Sequence, residues 1–269
     1  MLSRVKKARL FSASGQIFGV ALRLEADSEA TLEDMRYATH LGLDIETGSE
    51  QTFFRVAQTG RNAYKLESGG GVLSEGDYEH VLEQFERQLR RYVAFNAPQH
   101  VFVHAGTVAY DGRALVLPGP SFSGKTSLVA ALVSAGAAYY SDEYAVFDAT
   151  GLVYPYAKPL AIRLDEGSPV QTQRSADQLG GTSGTEPARL GLVVCSQYRR
   201  DGVWRPTQLT PAQTLLELFG HSYGSADRPA QTIGTLRQAI TTTTGIKGDR
   251  GEAATIAAEL LARLSSPPA

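Results

Sequence analysis

The chain has 269 residues, of which 42% are hydrophobic and 20% charged, so it is long enough for one large domain or for a core domain with a smaller one. Residues 1–97 carry 12 basic and 14 acidic side chains and the remainder 14 of each, without the basic excess that a nucleic-acid partner requires. No run approaches ~18 consecutive apolar residues and the start lacks the apolar stretch of a signal peptide, so we expect a cytoplasmic protein with no membrane partner.

The first part of the chain is predicted to be mostly β. Alternating apolar and polar residues predict two hairpins. Their strands are Val5 to Ser12 with Ile17 to Leu24, turning at Ser14-Gly15, and Thr52 to Gln58 with Asn62 to Leu66, turning at Thr59-Gly60. Between the hairpins, only a short helix opening at Thr31 is indicated.

A long amphipathic helix is predicted after these strands, because apolar residues recur at helical spacing. They are Tyr78, Val81, Leu82, Phe85, Leu89, Tyr92 and Val93. Ser74, with Asp77 three residues later, resembles a capping box at its start, and Pro98 follows its end. We therefore divide the chain into residues 1–97, closed by this helix, and residues 98–269.

The second region contains a match to the phosphate-loop pattern G-x-x-x-x-G-K-[ST] from Gly119 to Thr126. Two predicted strands lead into it: residues 101–110, and a run from Arg113 to Pro118 after a turn at Asp111-Gly112. A helix-like run from Thr126 to Ala135 follows. A strand before and a helix after favour a phosphate-binding loop over a chance match in a chain with 27 glycines.

In such a loop, backbone N–H groups and the start of the helix bind phosphate oxygens. Lys125 would hold the β- and γ-phosphates of ATP, and the Thr126 hydroxyl would complete a Mg²⁺ shell. The serine side chains either touch phosphates or are small enough to leave them room. The residues expected to bind ATP are Gly119, Ser121, Ser123, Gly124, Lys125, Thr126 and Ser127.

An acidic pair, Asp142 and Glu143, follows a predicted strand over residues 138–141 and precedes another over 144–147. Acids at the end of the second strand of a β-α-β unit are usual in a nucleotide site. Phosphoryl transfer to a hydroxyl needs a proton acceptor, for which Asp142 is the candidate. Glu143 would help Thr126 to hold Mg²⁺ if it turned the same way, although adjacent strand residues face opposite sides.

The remaining elements are predicted more sparsely. Residues 165–188 show no apolar period, and a long loop inside a compact domain is usually either functional or disordered; as a functional loop, it would close over the acceptor as a lid. Cys195, which has no cysteine partner, is expected to be buried. The other predicted strands are Leu160 to Leu164, Leu190 to Ser196 and Val203 to Leu209, and the other helices are Pro211 to Phe219 and Glu252 to Leu264.

These motifs resemble the HPr kinase/phosphorylase-like family, which is related in fold to phosphoenolpyruvate carboxykinase. The resemblance depends on His104-Ala105-Gly106, the phosphate loop and the acidic pair, and the run from Pro155 to Arg163 resembles the HPr-kinase-related branch. It covers about residues 100–265. It implies an α/β fold with a P-loop kinase core beside the smaller N-terminal region.

The resemblance also implies roles for individual residues. His104 and Asp142 would be catalytic together with Lys125. The second acid is usually Asp in the family, where this chain has Glu143. For His104 the alternative interpretation, a buried histidine satisfied by backbone, stays equally open.

The implied activity is transfer of the γ-phosphate of ATP, with Mg²⁺, to a hydroxyl, most simply the serine side chain of a peptide or small protein. Related kinases act on ribosomally made peptides such as lasso-peptide precursors, and the family often forms multimers, so a homo-oligomer is also expected. Two alternatives remain: a kinase for a free amino acid or sugar on the same core, and a regulatory module that binds ATP without transferring phosphate.

Overall fold

The structure is a computed structural model that describes residues 10–39, 52–156, 158–163 and 171–266. It is mixed α/β, and it divides into two compact units, Met1–Pro98 and Gln99–Ala269. Residues 5–9 of the first predicted strand, the last residue of the predicted strand Leu160 to Leu164, and residues 165–170 of the predicted lid lie outside the described residues.

The first unit contains, in its described residues, a five-stranded sheet in the order β1-β2-β3-β4-β5 and two helices. Only β2 and β3 pair in parallel. The helix α2 buries Val81, Phe85, Leu89 and Val93, which confirms the amphipathic helix predicted from their spacing. The elements are β1 Phe11–Ile17, β2 Val20–Ala26, α1 Glu29–Ala38, β3 Thr52–Gly60, β4 Ala63–Ser68, β5 Gly71–Gly76 and α2 Tyr78–Asn96.

Two local predictions in this unit were wrong. The first hairpin turns at Phe18-Gly19, where φ is 49° and 76°, and Ser14 lies inside β1 opposite Arg23. Two left-handed residues make a two-residue turn whose twist matches the strands. Ser74 lies in β5, and the cap of α2 is Asp77, whose carboxylate accepts the His80 N–H at 2.9 Å.

The second unit is built, in its described residues, on a nine-stranded sheet, with β11 and β12 as a separate hairpin. The hydrogen-bonded path runs β13-β8-β6-β9-β10-β14-β16-β15, and β7 pairs with both β6 and β14. The strands are β6 His100–Tyr110, β7 Arg113–Pro118, β8 Ala138–Ser141, β9 Tyr144–Asp148, β10 Leu152–Tyr154, β11 Leu160–Arg163, β12 Gln171–Arg174, β13 Thr182–Ser183, β14 Ala188–Tyr198, β15 Thr207–Leu209 and β16 Thr244–Arg250.

Helices cover both faces of this sheet. Alternate residues of β14 separate into two cores: Leu192 and Val194 belong to the core with α3 and α6, and Val193 and Cys195 to the core with α4 and α5. The helices are α3 Lys125–Ser134, α4 Pro211–Gly220, α5 Pro229–Ala239 and α6 Ala253–Ser265. Within the described ranges, no helix combines the length and apolar character needed to cross a bilayer.

Several elements of this unit differ from the expectations. The sequence predicted neither α5 nor β16. The segment expected to be a loop contains β12, a 3-10 turn at Asp177–Leu179 and β13, so part of it is regular. These short strands are polar, and they are stabilised by pairing with β11 and β8. The sequence of the segment therefore shows no hydrophobic period that would predict them.

Substituting Gly151 by alanine tests the turn between β9 and β10. Gly151 has φ +83°, and a Cβ there would lie 2.6 Å from the backbone nitrogen of Ala239. The left-handed conformation costs alanine about 1–2 kcal/mol, and a collision with backbone adds to this because no side-chain rotation relieves it. We expect Gly151→Ala to lower the free energy of unfolding by roughly 3 kcal/mol in denaturant titrations.

Gly180→Ala is the matched control for this prediction. Gly180 has φ +78°, but nothing lies within 4 Å of the added Cβ. Only the conformational cost remains, so Gly180→Ala should lower the free energy of unfolding by about 1 kcal/mol. Equal losses in the two variants would contradict the close approach of Ala239 to this turn.

Candidate functional site

Register in the sheet brings the phosphate loop and the acidic pair to the same level. Ala105 of β6 pairs with Pro118, the last residue of β7, and its N–H donates to the Glu143 carbonyl at 3.0 Å. β8 pairs with residues 107–109 of β6 and β9 with residues 100–104. The two strands therefore share one edge of β6, and Asp142 and Glu143 form the break between them.

The loop has an unusual backbone. Gly124, which precedes α3, has φ +87°, and Phe122 has φ +68° with 77% of its surface exposed. A bulky residue in the left-handed region is strained, and such strain concentrates at functional sites. Alternation between right- and left-handed residues also turns successive N–H groups toward a common point, which makes an anion-binding concavity.

Ser123 is 2% exposed, and its hydroxyl has no hydrogen-bond partner among the residues that the structure describes. It points toward Gly119, since a Cβ added there would lie 3.1 Å from Ser123 Oγ. Leaving a buried hydroxyl without a partner costs free energy, so this orphaned group favours a polar ligand in the loop.

Lys125 spans the loop from the first turn of α3. Its ammonium donates to the carbonyl oxygens of Gly119 and Pro120, at 2.8 Å each. Burial lowers the pKa of Lys125 to about 8, and Glu143 and then Asp142 oppose this shift by their negative charge. The lysine predicted to bind phosphate is thus electrostatically coupled to both predicted acids.

Arg250 supports the loop from behind and was not identified from the sequence. It is 1% exposed, and its guanidinium donates to the carbonyl oxygens of Gly124 and Gly251, at 2.8 Å each. The guanidinium carbon lies 5.7 Å from the ring centre of Tyr198, whose N–H donates to the Ser123 carbonyl at 3.2 Å. Arg250 ends the unpredicted strand β16, so no sequence pattern related it to the loop.

Asp142 is held by two neighbours. The Tyr139 hydroxyl donates to its Oδ1 at 3.2 Å and accepts its backbone N–H at 3.1 Å. The Lys158 ammonium lies 3.1 Å from the same Oδ1 and 3.7 Å from Glu143 Oε2. Both acids reach one ammonium because they occupy a break between strands, where the expected alternation of faces does not apply.

The other carboxylate oxygen, Asp142 Oδ2, accepts no hydrogen bond from any residue in the described ranges. In the sequence, Lys158 belongs to the run from Pro155 to Arg163 that supports the family resemblance. Nothing in that run distinguishes it from a surface lysine.

His104 lies on β6 next to these groups. Its backbone N–H donates to the backbone carbonyl of His221 at 2.8 Å. Its ring makes no hydrogen bond within the described part of the chain. Burial, followed by the charge of Lys125, lowers the pKa of His104 to about 4 against the opposing effect of Glu143. The imidazole is therefore neutral at physiological pH.

Two further groups complete the surroundings. His221, which has no motif context in the sequence, lies close enough that burial and the Lys125 charge lower its pKa. The predicted ligands Ser121 and Thr126 lie in the loop and Ser127 follows it, and their hydroxyls make no hydrogen bond with described residues. Across the same residues, no group of three or more His, Cys, Asp and Glu is arranged to hold a metal ion.

No protein-family model matches the chain, and no curated protein matches it either. The function must therefore be argued from the geometry of these residues and from the motifs that they form.

The protonation state of His104 gives a direct test of this electrostatic arrangement. NMR titration of the imidazole should show a midpoint near the pKa of about 4. Lys125→Met should raise the pKa by removing a nearby positive charge, and Asp142→Asn should lower it by removing a negative one. Lys65→Met, in the other unit, should leave it unchanged; shifts in the same direction for the first two variants would contradict the arrangement.

Proposed function

We propose that the protein is an ATP-dependent kinase with a P-loop core of the HPr kinase type, which phosphorylates a hydroxyl on a peptide or small protein. One observation carries the proposal: strand β6 aligns the phosphate loop with the acidic pair, since Ala105 pairs with Pro118 at the start of the loop and its N–H donates to the Glu143 carbonyl. Hydroxyl phosphorylation requires a phosphate anchor and a proton acceptor in one site.

The residues of the loop fit a bound triphosphate. Ser123 supplies a buried hydroxyl with no protein partner in the described residues. Gly119 leaves the space that a side chain would fill next to that hydroxyl. Lys125 already reaches across the loop opening to carbonyl oxygens, and phosphate oxygens would be better acceptors for its ammonium.

In the proposed reaction, a bond forms from the acceptor oxygen to the γ-phosphorus as the bond between that phosphorus and the β,γ-bridging oxygen breaks, which releases ADP. Asp142 takes the hydroxyl proton on Oδ2 and later releases it to water. Lys125 holds the phosphates, and neutral His104 donates a hydrogen bond to the γ-phosphate. Mg²⁺, held by Thr126, Glu143 and phosphate oxygens, would neutralise charge that develops on the phosphates.

A serine side chain is the acceptor that the motif resemblance implies, and a ribosomally made peptide precursor is one such substrate. A kinase for a free amino acid or sugar would use the same residues.

A module that binds ATP without transferring phosphate is the second candidate. One observation favours it: the Lys158 ammonium lies 3.1 Å from Oδ1 of Asp142. This carboxylate already has a charged partner, which makes it a weaker proton acceptor. The transfer experiment below separates the two candidates.

The affinity for ATP should depend on the protonation of Lys125. Because the pKa of Lys125 is about 8, the charged form that binds phosphate is lost as the pH rises through this value. Above it, the dissociation constant should rise by up to about tenfold per pH unit, until the higher pKa of the complex is reached. Isothermal titration calorimetry with ATP at a series of pH values measures this.

Lys125→Arg is the control for the pH dependence. A guanidinium stays charged across this range, so the variant should bind ATP with an affinity that does not vary with pH. A wild-type affinity that is equally flat would show that Lys125 does not titrate at the binding site.

Transfer itself is tested with γ-labelled ATP and Mg²⁺, offered with separate pools of peptides, small proteins and metabolites. At a pH well below the pKa of Lys125, Asp142→Asn should still bind ATP but transfer label about 10²–10⁴-fold more slowly, because it cannot accept the proton. Lys125→Ala should lose ATP binding. Asp201→Asn is the matched control, since Asp201 is exposed in a turn and asparagine tolerates its φ of +60°.

The outcomes separate the candidates. Label in a peptide or protein supports the proposal and identifies the acceptor, and label only in a metabolite supports the small-molecule kinase. ATP binding without label in any pool supports the binding module. Full activity in Asp142→Asn would exclude Asp142 as the proton acceptor.

A further inference from the structure

Lys158 is almost completely buried although it carries a charge. Its side chain is 8% exposed, and that of Asp142 is 5% exposed. The preceding segment is anchored, since the Tyr156 N–H donates to the Tyr140 carbonyl at 3.0 Å and the Tyr156 ring packs edge-on against Tyr144, with 5.4 Å between the ring centres. The ammonium is therefore held at the acidic pair by packing as well as by charge.

A buried ammonium is costly unless compensated, and Lys158 is compensated by the two groups proposed for proton acceptance and metal binding. The same acids also offset the burial of Lys125. Two ammonium groups thus face two carboxylates, and His104 and His221 add no charge because their pKa values are lowered. The cluster is electrically balanced as it stands.

We propose that Lys158 is the resident counter-ion of Asp142 and Glu143, and that it prevents these acids from taking up a divalent ion until a nucleotide brings the ion with its phosphates. The inference rests on the proposed function in placing a nucleotide at the phosphate loop. It assigns Lys158 a role in the order of ligand binding, which neither the motifs nor the proposed reaction specify.

The charge balance explains why the divalent ion should bind together with the nucleotide and not before it. A divalent ion arriving alone would add two positive charges to a balanced cluster and approach two ammonium groups. The described residues also supply no set of three or more acidic, histidine or cysteine ligands for it. An ion that arrives on a nucleotide brings phosphate ligands and a net negative charge, which the ammonium groups favour.

The inference is tested by the binding of Mn²⁺ to the full chain, measured from the loss of the free-ion signal in electron paramagnetic resonance. In the absence of nucleotide, Lys158→Met should bind Mn²⁺ at least about tenfold more tightly than wild type, because the acids lose their counter-ion. A non-hydrolysable ATP analogue should greatly increase Mn²⁺ uptake by wild type and change that of Lys158→Met much less.

Lys65→Met is the matched control. Lys65 also forms a close lysine–glutamate pair, 2.6 Å from Glu67, but lies in the other unit. Its Mn²⁺ binding should equal that of wild type. Equal affinity of Lys158→Met and wild type for Mn²⁺ without nucleotide would overturn the inference, as would tight Mn²⁺ binding by nucleotide-free wild type.

Loss of Lys158 leaves two buried carboxylates uncompensated, so the variant is expected to be less stable. Thermal unfolding with and without Mn²⁺ keeps the test decisive. Under the inference, Mn²⁺ raises the melting temperature of Lys158→Met, or restores its folding, but does not raise that of nucleotide-free wild type. A variant that stays unfolded in Mn²⁺ contradicts the inference, since the divalent ion would then be unable to replace the ammonium.

None of these measurements requires turnover. If no acceptor is phosphorylated but Mn²⁺ uptake still depends on nucleotide in wild type and not in Lys158→Met, the kinase proposal fails and the role of Lys158 stands. If label is transferred while Lys158→Met binds Mn²⁺ like wild type, the kinase stands and the role of Lys158 fails.

Discussion

Compensation of buried charge is the constraint on which the candidate site depends. The burial of Lys158 is compensated by Asp142 and Glu143 beside it, and its ammonium offsets the repulsion between the two acids. The charges of the same acids oppose the effect of burial on the pKa of Lys125. Burial and the charge of Lys125 also lower the pKa of His104, so its imidazole adds no charge to the cluster. Each group therefore sets the protonation or position of the others.

The sheet supplies the geometry that this compensation requires. Ala105 pairs with the end of β7 on one side and contacts Glu143 on the other, so one residue of β6 aligns the phosphate loop with the acidic pair. The break between β8 and β9 frees both carboxylates from strand alternation. Arg250 and Tyr198, at the ends of two neighbouring parallel strands, hold the far side of the loop. Ligand sites at the carboxyl ends of strands are typical of α/β sheets.

Elements with a strong period or a specific cap were predicted well. The helix α2 buries residues that its spacing indicated, and the helix predicted from Pro211 to Phe219 is α4, which begins at Pro211 after the cap residue Thr210. Elements held by pairing alone were missed, such as β13, whose two exposed residues lie against β8. The Phe18-Gly19 turn was also missed, because its two left-handed residues are not a typical turn sequence and Ser14-Gly15 is.

The sequence by itself determined the mixed α/β class, the phosphate-loop pattern and the positions of His104 and the acidic pair, since these depend on local spacing and on residue chemistry. Only the tertiary structure brought Lys158, His221 and Arg250 to the same site, because each comes from a segment that has no pattern linking it to the loop. Local periodicity reports which face of an element is buried. Which distant charges meet there is decided by strand register and by the requirement that desolvated charges be paired.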